Sequence, residues 1–409
     1  MIKPKVFFSI VGSSLVLFIL WLHLANTPNV TVVSENVIKE AIQNFSDNLE
    51  LTWMSQTTKH PNDIKYMLVW NQRNLEPLNK AIFRDGQASF ISNKCPNTNC
   101  YVTSNRNYFG GDVTKFDAIA FNGRSAEDLP NDFPKKRSPH QKYIYFNMES
   151  ADNIPACHPA FDSFFNWTAT YRLDSDITFT YLIIKKDGQI VGPDLNMKWP
   201  AEFSKTGNYI SNFKKTKAAA WFVSHCPTRS KREDVVSNLQ KALSDFGYTI
   251  DIYGGCGPLK CSRNNEEACN KKLEKDYYFY MSMENSFAED YVTEKLLTAL
   301  QHDVVPIVYG AANYSRFLPP NSYIDAQKHN AFSLATIMDL LIRSPPIYAE
   351  YYKWKEFYQY TNPQTTDNVC KLCAALNDKE KMSKNTVYKN FREWWLPSYK
   401  LRLRLPITT

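Results

Sequence analysis

Residues 277–323 read YYFYMSMENSFAEDYVTEKLLTALQHDVVPIVYGAANYSRFLPPNSY, and this stretch decides the fold. Tyr277 to Asn285 is aromatic and apolar without alternation, the pattern of a strand buried on both faces. The period then changes. Asp290 is placed to cap a helix whose apolar positions Val292, Leu296, Leu297 and Leu300 follow helical spacing, with Glu294 and Lys295 in its first turns. Val304 to Tyr309 is a second apolar strand, ended by Gly310. Strand, helix and strand in this order form a βαβ unit, whose ligands lie beyond the carboxyl ends of the strands. Glu284 to Lys295 therefore falls on a ligand edge. A helix N-terminus offers N–H groups and partial positive charge, so with Lys295 beside it the edge suits a diphosphate. Glu294 suits the two hydroxyls of a ribose. A surface helix with ordinary charges fits the same spacing.

Working outward, Lys217 to Ser224 (KAAAWFVS) reads as a strand, Glu233 to Phe246 as a helix and Thr249 to Tyr253 as a further strand, completing an α/β domain around the quoted stretch. Between the first two lie Arg229, Lys231 and Arg232, again at the ligand edge. A guanidinium there bonds two phosphate oxygens at once; a solvated basic loop is the alternative. Lys65 to Trp70, Ala118 to Phe121 and Lys142 to Asn147 are strands of an earlier α/β domain, bounded near Lys198-Trp199-Pro200. Glu149 follows the last of these strands directly, in YIYFNMESA. A carboxylate at a carboxyl strand end is where a general base belongs, although a capping or ion-paired Glu fits the position too. Asp174-Ser175-Asp176 has a form that chelates a divalent cation, and equally the form of a turn.

The 409 residues suffice for two domains with sizeable cores, and 14% aromatic content with only 13 Gly fits a well-packed globule. A formal charge of +7 is spread along the chain without a polybasic run or nucleic-acid motif, which excludes nucleic acid as the expected partner. Val6 to Leu24 carries no Asp, Glu, Lys or Arg and follows Lys3 and Lys5. At about 1.5 Å per residue it spans about 30 Å of hydrocarbon with its N-terminus in the cytosol, a signal anchor with a cleaved signal peptide as rival. This divides the chain into a cytosolic tail (1–5), a transmembrane helix (6–24), a stem (25–61), an N-terminal α/β domain (62–200), a C-terminal one (201–365) and a C-terminal segment (366–409). Sequons begin at Asn29, Asn44, Asn166 and Asn313. The nine cysteines all follow the apolar run, where disulfides persist if that part is lumenal. Cys370 and Cys373 form a C-x-x-C without a second pair at zinc spacing, and Cys226 with Cys256, and Cys261 with Cys269, share a sheet edge or loop.

ENSFAEDYVTEKLLTAL followed by VVPIVYGAANYSRFLPPNSYI closely resembles the donor-nucleotide motif of the α1,3-fucosyltransferases, glycosyltransferase family ten. YFNMES resembles that family's W-x-N-x-E-S-P segment, with Ala151 in place of Pro, and FNWTATYRLDSDI its F-N-W-T-x-x-Y-R-x-D-S-D-I. The likeness runs from about Lys65 to Leu401. It implies an α/β fold of two Rossmann-like domains (GT-B type) behind an N-terminal transmembrane helix and stem, in the Golgi lumen. It further implies inverting transfer of fucose from GDP-fucose to N-acetylglucosamine of a glycan. Glu149 would be the base, and Arg232, Asn285, Tyr291, Glu294 and Lys295 would hold the donor. Arg172 and Asp176 would shape the cleft between the domains. No metal is required in such a family, a divalent ion being at most stimulatory. The C-terminal C-x-x-C would be bridged to the first domain, where Cys95 and Cys100 are the candidates, leaving Cys157 odd. A manganese-dependent transferase using Asp174 and Asp176, and an inactive lumenal binding protein of the same fold, are the rivals; oligomeric state is left open.

Overall fold

The computed structural model describes residues 63–71, 85–125, 129–201, 203, 214–261, 266–363 and 367–397. The expected membrane span, the stem and the sequons at Asn29 and Asn44 lie outside them. Among the described residues no helix is long and apolar enough to cross a membrane.

The first sheet comprises β1 (Lys65–Val69), β2 (Cys100–Thr103), β3 (Ala118–Asn122), β4 (Lys142–Asn147), β5 (Trp167–Thr170) and β6 (Ile177–Thr178). All neighbours are parallel, in the order β2-β1-β3-β4-β5-β6. Every residue of β3 and β4 is buried, as an apolar run covered on both faces requires. A three-stranded antiparallel sheet follows from β7 (Ile183–Lys186) and β8 (Gln189–Gly192), joined by a distant strand given below.

The second parallel sheet comprises β9 (Lys217–Phe222), β10 (Ile250–Tyr253), β11 (Tyr277–Met283), β12 (Val305–Tyr309) and β13 (Ile324–Asp325), in the order β10-β9-β11-β12-β13. Helices α1 (Arg232–Ser244), α2 (Glu266–Asp276), α3 (Glu294–Gln301) and α4 (Ala331–Arg343) accompany it. Val236, Leu239 and Leu243 of α1 and Leu334, Ala335, Met338 and Leu341 of α4 bury one face with Phe279, Met281 and Ile307 of the sheet. Strand β14 (Gln359–Thr361) completes the small sheet by pairing with β7. Both parallel sheets begin with the same winding: the first strand lies between the second and third. The order reverses between β1 and β3 and between β9 and β11, and such a reversal opens a crevice at the carboxyl ends.

Helix α3 starts later than the spacing of the quoted stretch suggests. Its N-cap is Thr293, not Asp290. Asp290 adopts a left-handed φ of 55° and is buried, where it bonds Arg316 at 2.7 Å and accepts from Leu173 N at 3.2 Å. Its side chain is thereby unavailable as a cap.

After β14 the chain returns to the first sheet. Helix α5 (Asp367–Asn377) places Val369, Leu372 and Leu376 against Met67, Ala118, Ile144 and Trp167. Disulfides Cys95–Cys370 and Cys100–Cys373 bind it there, while Cys226–Cys256 and Cys261–Cys269 lie in the second half and Cys157 is a free, exposed thiol. Lys142, fully buried at the start of β4, donates from Nζ to Lys384 O at 2.9 Å and Asn385 Oδ1 at 3.0 Å. Short helix α6 (Phe391–Trp395) buries Phe391 and Trp395 against Tyr145 at ring distances of 4.7 and 5.1 Å. The sequon at Asn166 is taken up by the same packing. Its Oδ1 accepts from Tyr143 N and Arg137, its Nδ2 donates to Thr386 O at 2.9 Å, and the residue is 6% exposed, so it offers no room for a glycan. Asn313 is exposed.

The C-x-x-C bridges span 275 and 273 residues, and a loop of this length restrains the unfolded chain by about 5 kcal/mol in the chain-entropy account. Because Cys95–Cys370 still closes the long loop, Cys373→Ser removes only the restraint of the short ring between the two bridges and is predicted to lower unfolding free energy by about 2–3 kcal/mol in denaturant titration, with reductant narrowing the gap between variant and parent.

Candidate active site

Asn147, the last residue of β4, turns its amide side chain along the strand end. Its Nδ2 donates to Tyr145 Oη at 3.0 Å and its Oδ1 accepts from Glu149 N at 2.9 Å. The segment beyond is held by two tyrosines, one partly and one fully buried: Tyr181 Oη donates to Met148 O at 2.5 Å, and Tyr171 Oη accepts from Ala151 N at 3.0 Å. The last bond uses an N–H that a proline lacks, so the departure from the family pattern at Ala151 has a local partner. Glu149 Oε1 accepts from Ser150 N at 3.0 Å, Asn153 Nδ2 at 3.1 Å and Tyr291 Oη at 2.7 Å. Its Oε2 stands 3.6 Å from the Arg124 guanidinium. Arg124 follows Asn122-Gly123 at the end of β3, and Gly123 is required because a Cβ there would sit 2.4 Å from Tyr145 Oη.

At the second edge the central group is Glu284, just past β11 and 2% exposed. Its carboxylate accepts from Thr293 N at 2.9 Å and from Thr293 Oγ1, and lies 3.3 Å from Lys295 Nζ. Lys295 also donates to Thr293 Oγ1 at 2.8 Å and Glu294 Oε1 at 3.0 Å. Burial pushes the Glu284 carboxyl above its usual range in spite of Lys295. Burial pulls Lys295 the other way, but Glu284 and Glu294 outweigh it and hold the ammonium above its usual value, hence charged. Gly310 packs against this carboxylate, its absent Cβ falling 3.3 Å from Glu284 Cγ and 2.6 Å from Tyr314 Oη.

Arg232 spans the reversal of the second sheet. Its Nη1 donates to Met283 O at 2.6 Å, at the end of β11, and its Nη2 to His225 O at 3.0 Å, beyond β9. The residue is 3% exposed and lies over the Trp221 ring. The sequence suggests a free fork for phosphate oxygens; the structure instead commits two of its N–H groups to carbonyls, and Arg232 braces the strand ends while supplying charge. Asn285 joins this frame through its carbonyl, which accepts from Ser230 N at 3.1 Å, and its Oδ1, which accepts from Ser286 Oγ.

The two edges meet. Besides Tyr291 on Glu149, Ser150 Oγ lies 2.5 Å from Ser286 Oγ, both fully buried, and Arg229 pairs with Asp152 at 3.0 Å. Tyr291 thus contacts the expected base, which the sequence reading, with Tyr291 as a donor contact, does not anticipate. The sequence reading gives no role to Arg124 or Thr293 either; Arg124's only local signal is a Gly at a strand end.

Asp174 and Asp176 have other work. Asp174 accepts from Arg172 at 2.8 and 2.7 Å and from Trp394 Nε1 at 3.0 Å. Asp176 Oδ2 accepts from Thr168 N at 2.9 Å and Tyr388 Oη at 2.8 Å. Arg172 also reaches Trp394 O. These residues anchor the C-terminal segment, and among the described residues no group of three or more His, Cys, Asp or Glu is placed to hold a metal.

Residues 62–182 match the family model described as Fucosyltransferase, N-terminal, and residues 212–394 that of Glycosyltransferase family 10 (fucosyltransferase) C-term. Alpha-(1,3)-fucosyltransferase C of Drosophila melanogaster is 39% identical over 320 residues, 76% of this chain and 72% of the relative. Alpha-(1,3)-fucosyltransferase fut-1 of Caenorhabditis elegans is 33% identical over 341 residues, 80% and 70% of the two chains. A solved α1,3-fucosyltransferase with GDP-fucose is similar at 15% identity and a TM-score of 0.48, over 81% of this chain and 94% of the other.

Glu284→Ala leaves Thr293 and Lys295 without their buried carboxylate, and is predicted to cost about 3 kcal/mol of stability in denaturant titration.

Proposed function

The chain belongs to glycosyltransferase family 10, the fucosyltransferases, and from that membership we infer the chemistry of its paired edges. The protein is an α1,3-fucosyltransferase. We propose a GT-B arrangement in which GDP-fucose occupies the edge of the second sheet and the acceptor that of the first, with the 3-hydroxyl of an N-acetylglucosamine as nucleophile.

The observation that carries this reading is the convergence of Glu149 and the Glu284–Lys295 edge, joined through Tyr291. In the proposed step the acceptor O–H bond breaks and its proton passes to Glu149. The freed oxygen bonds to the anomeric carbon of fucose from the face opposite the nucleotide. The bond from that carbon to the phosphate oxygen breaks, its electron pair leaves on GDP, and configuration inverts without a covalent enzyme intermediate. Lys295 meets the charge growing on the leaving phosphate. It is already cationic and already oriented by Glu284 and Thr293, so little reorganisation is needed during reaction. Glu294, exposed on the first turn of α3 and bonded through Oε1 to Lys295, presents its carboxylate to a ribose.

Turnover without a resident metal is part of the proposal, supported by the engagement of both Asp174 and Asp176 in structural bonds. A single-pass Golgi membrane enzyme with its catalytic part in the lumen is also proposed. Its supports are the uncharged run from Val6 to Leu24 and the four disulfides, a pattern of oxidising compartments.

Glu149→Gln is predicted to reduce transfer by about 10²–10⁴-fold and Lys295→Ala by about 10²–10³-fold. Activity should persist in EDTA. The assay supplies GDP-fucose with N-glycan core, LacdiNAc and lactosamine acceptors, and reads linkage by mass spectrometry and linkage-specific fucosidases; a β-linked product or full activity in Lys295→Ala overturns the reading.

A further inference from the structure

The base and the donor edge are connected by one hydroxyl. Tyr291 is 3% exposed, and its ring packs edge-on against Tyr171 at 4.9 Å and Tyr181 at 6.3 Å. Its backbone is restrained on both sides: Asp290 before it is held by Arg316 and Leu173 N, and Thr293 after it by Glu284. The hydroxyl therefore has little freedom, and it is aimed at Glu149 Oε1. Burial raises the phenol well above its usual pKa, so it stays a donor.

Three donors converge on Oε1: Tyr291 Oη, Ser150 N and Asn153 Nδ2. Oε2 faces Arg124 alone among the described residues, across 3.6 Å, and the carboxylate retains 18% exposure. We propose that Tyr291 is a positioning residue for the base: by occupying Oε1 from the donor side, it turns Oε2 to the acceptor hydroxyl and makes the orientation of the base depend on the donor edge being in place. The proton then lands on Oε2, which carries no hydrogen bond from the described residues. This role is distinct from a direct contact to the nucleotide sugar, and it rests on Glu149 acting as the base.

The geometry gives a reason for coupling. Tyr291 lies two residues before Thr293 and four before Lys295, on the segment that would close on the donor diphosphate. A displacement of Thr293 or Lys295 is transmitted along this short, buried backbone to the tyrosine hydroxyl, and from there to the carboxylate.

The test uses the full chain and its Tyr291→Phe, Asn153→Ala, Glu149→Gln and Tyr291→Phe/Glu149→Gln variants, with kcat and both KM values from transfer assays and GDP affinity from calorimetry. Tyr291→Phe keeps the ring and its packing. It should lower kcat about tenfold, the rate equivalent of one hydrogen bond to a charged group, with the GDP-fucose KM and GDP affinity unchanged. Asn153→Ala removes a second donor from the same oxygen on the more open side, and should lower kcat in the same way by a smaller factor. The double variant should be no slower than Glu149→Gln, because a residue that acts through Glu149 has nothing left to position. A raised GDP-fucose KM with kcat preserved in Tyr291→Phe makes the tyrosine a donor ligand and overturns the proposal. So does wild-type behaviour of Tyr291→Phe, or a double variant slower than Glu149→Gln by the full factor of the single change. Wild-type turnover of Glu149→Gln overturns the assignment of the base and the positioning role together, which separates that failure from the others.

Discussion

A buried carboxylate governs the donor edge. Glu284 lies beyond the buried carboxyl end of β11, where an isolated negative charge would be costly, and the surrounding chain is arranged to satisfy it. Thr293 turns both its N–H and its hydroxyl inward, which sets the first residue of α3. Lys295 is drawn to the same carboxylate and kept protonated by it. Gly310 is required where β12 passes alongside, since a side chain there would meet Glu284 and Tyr314. One acidic group thus determines where the helix begins, where the cation stands and how closely the next strand approaches.

The other edge is built by different means. Among the described residues no comparable ion pair is buried beneath Glu149; its loop is carried by hydroxyls and amides, with Tyr181 and Tyr171 below and Asn147 behind. The sheet under it is closed from outside by the C-terminal segment, through two disulfides, the buried Lys142 and the bonds of Arg172, Asp174 and Asp176 to Trp394 and Tyr388. The Asp-Ser-Asp motif therefore acts as a clasp. A carboxylate already accepting from Arg172 and an indole, or from a backbone N–H and a phenol, would have to give up those partners before it could ligate a cation.

Much of this frame could be read along the chain. Strand β4 runs from Lys142 to Asn147 as its apolar pattern indicates, and β11, β12, α1 and β10 fall within a few residues of their expected limits. Their burial is local in origin, so their periodicity records it. Asp290 misleads because its type and place suit a cap, whereas its true partners, Arg316 and Leu173, lie 26 and 117 residues away. The same distance hides the Tyr291–Glu149 bond, across 142 residues, and the small antiparallel sheet, in which β14 pairs with β7. No local pattern in the sequence encodes which face of a tyrosine will meet a carboxylate from another sheet. Arg232 shows the intermediate case: its place at the ligand edge is legible, but its engagement with Met283 and His225 carbonyls follows from the reversal between β9 and β11.

That reversal also explains why the chemistry is divided between two sheets. Within a single parallel sheet the crevice at the reversal is a few residues wide and can collect one ligand at its carboxyl ends. Transfer requires two, with a base near one and a cation near the other, on opposite sides of the reacting carbon. A second sheet with the same winding supplies a second crevice, and the contacts Ser150–Ser286, Asp152–Arg229 and Glu149–Tyr291 keep the two in register. Each of these joins residues just beyond β4 to residues at the second edge, so in the proposed reaction the base is fixed by the very segments that would hold the leaving group. Alignment of attack and departure is then a property of the folded chain, present before either substrate arrives, and substrate binding need supply less of the ordering that the reaction demands.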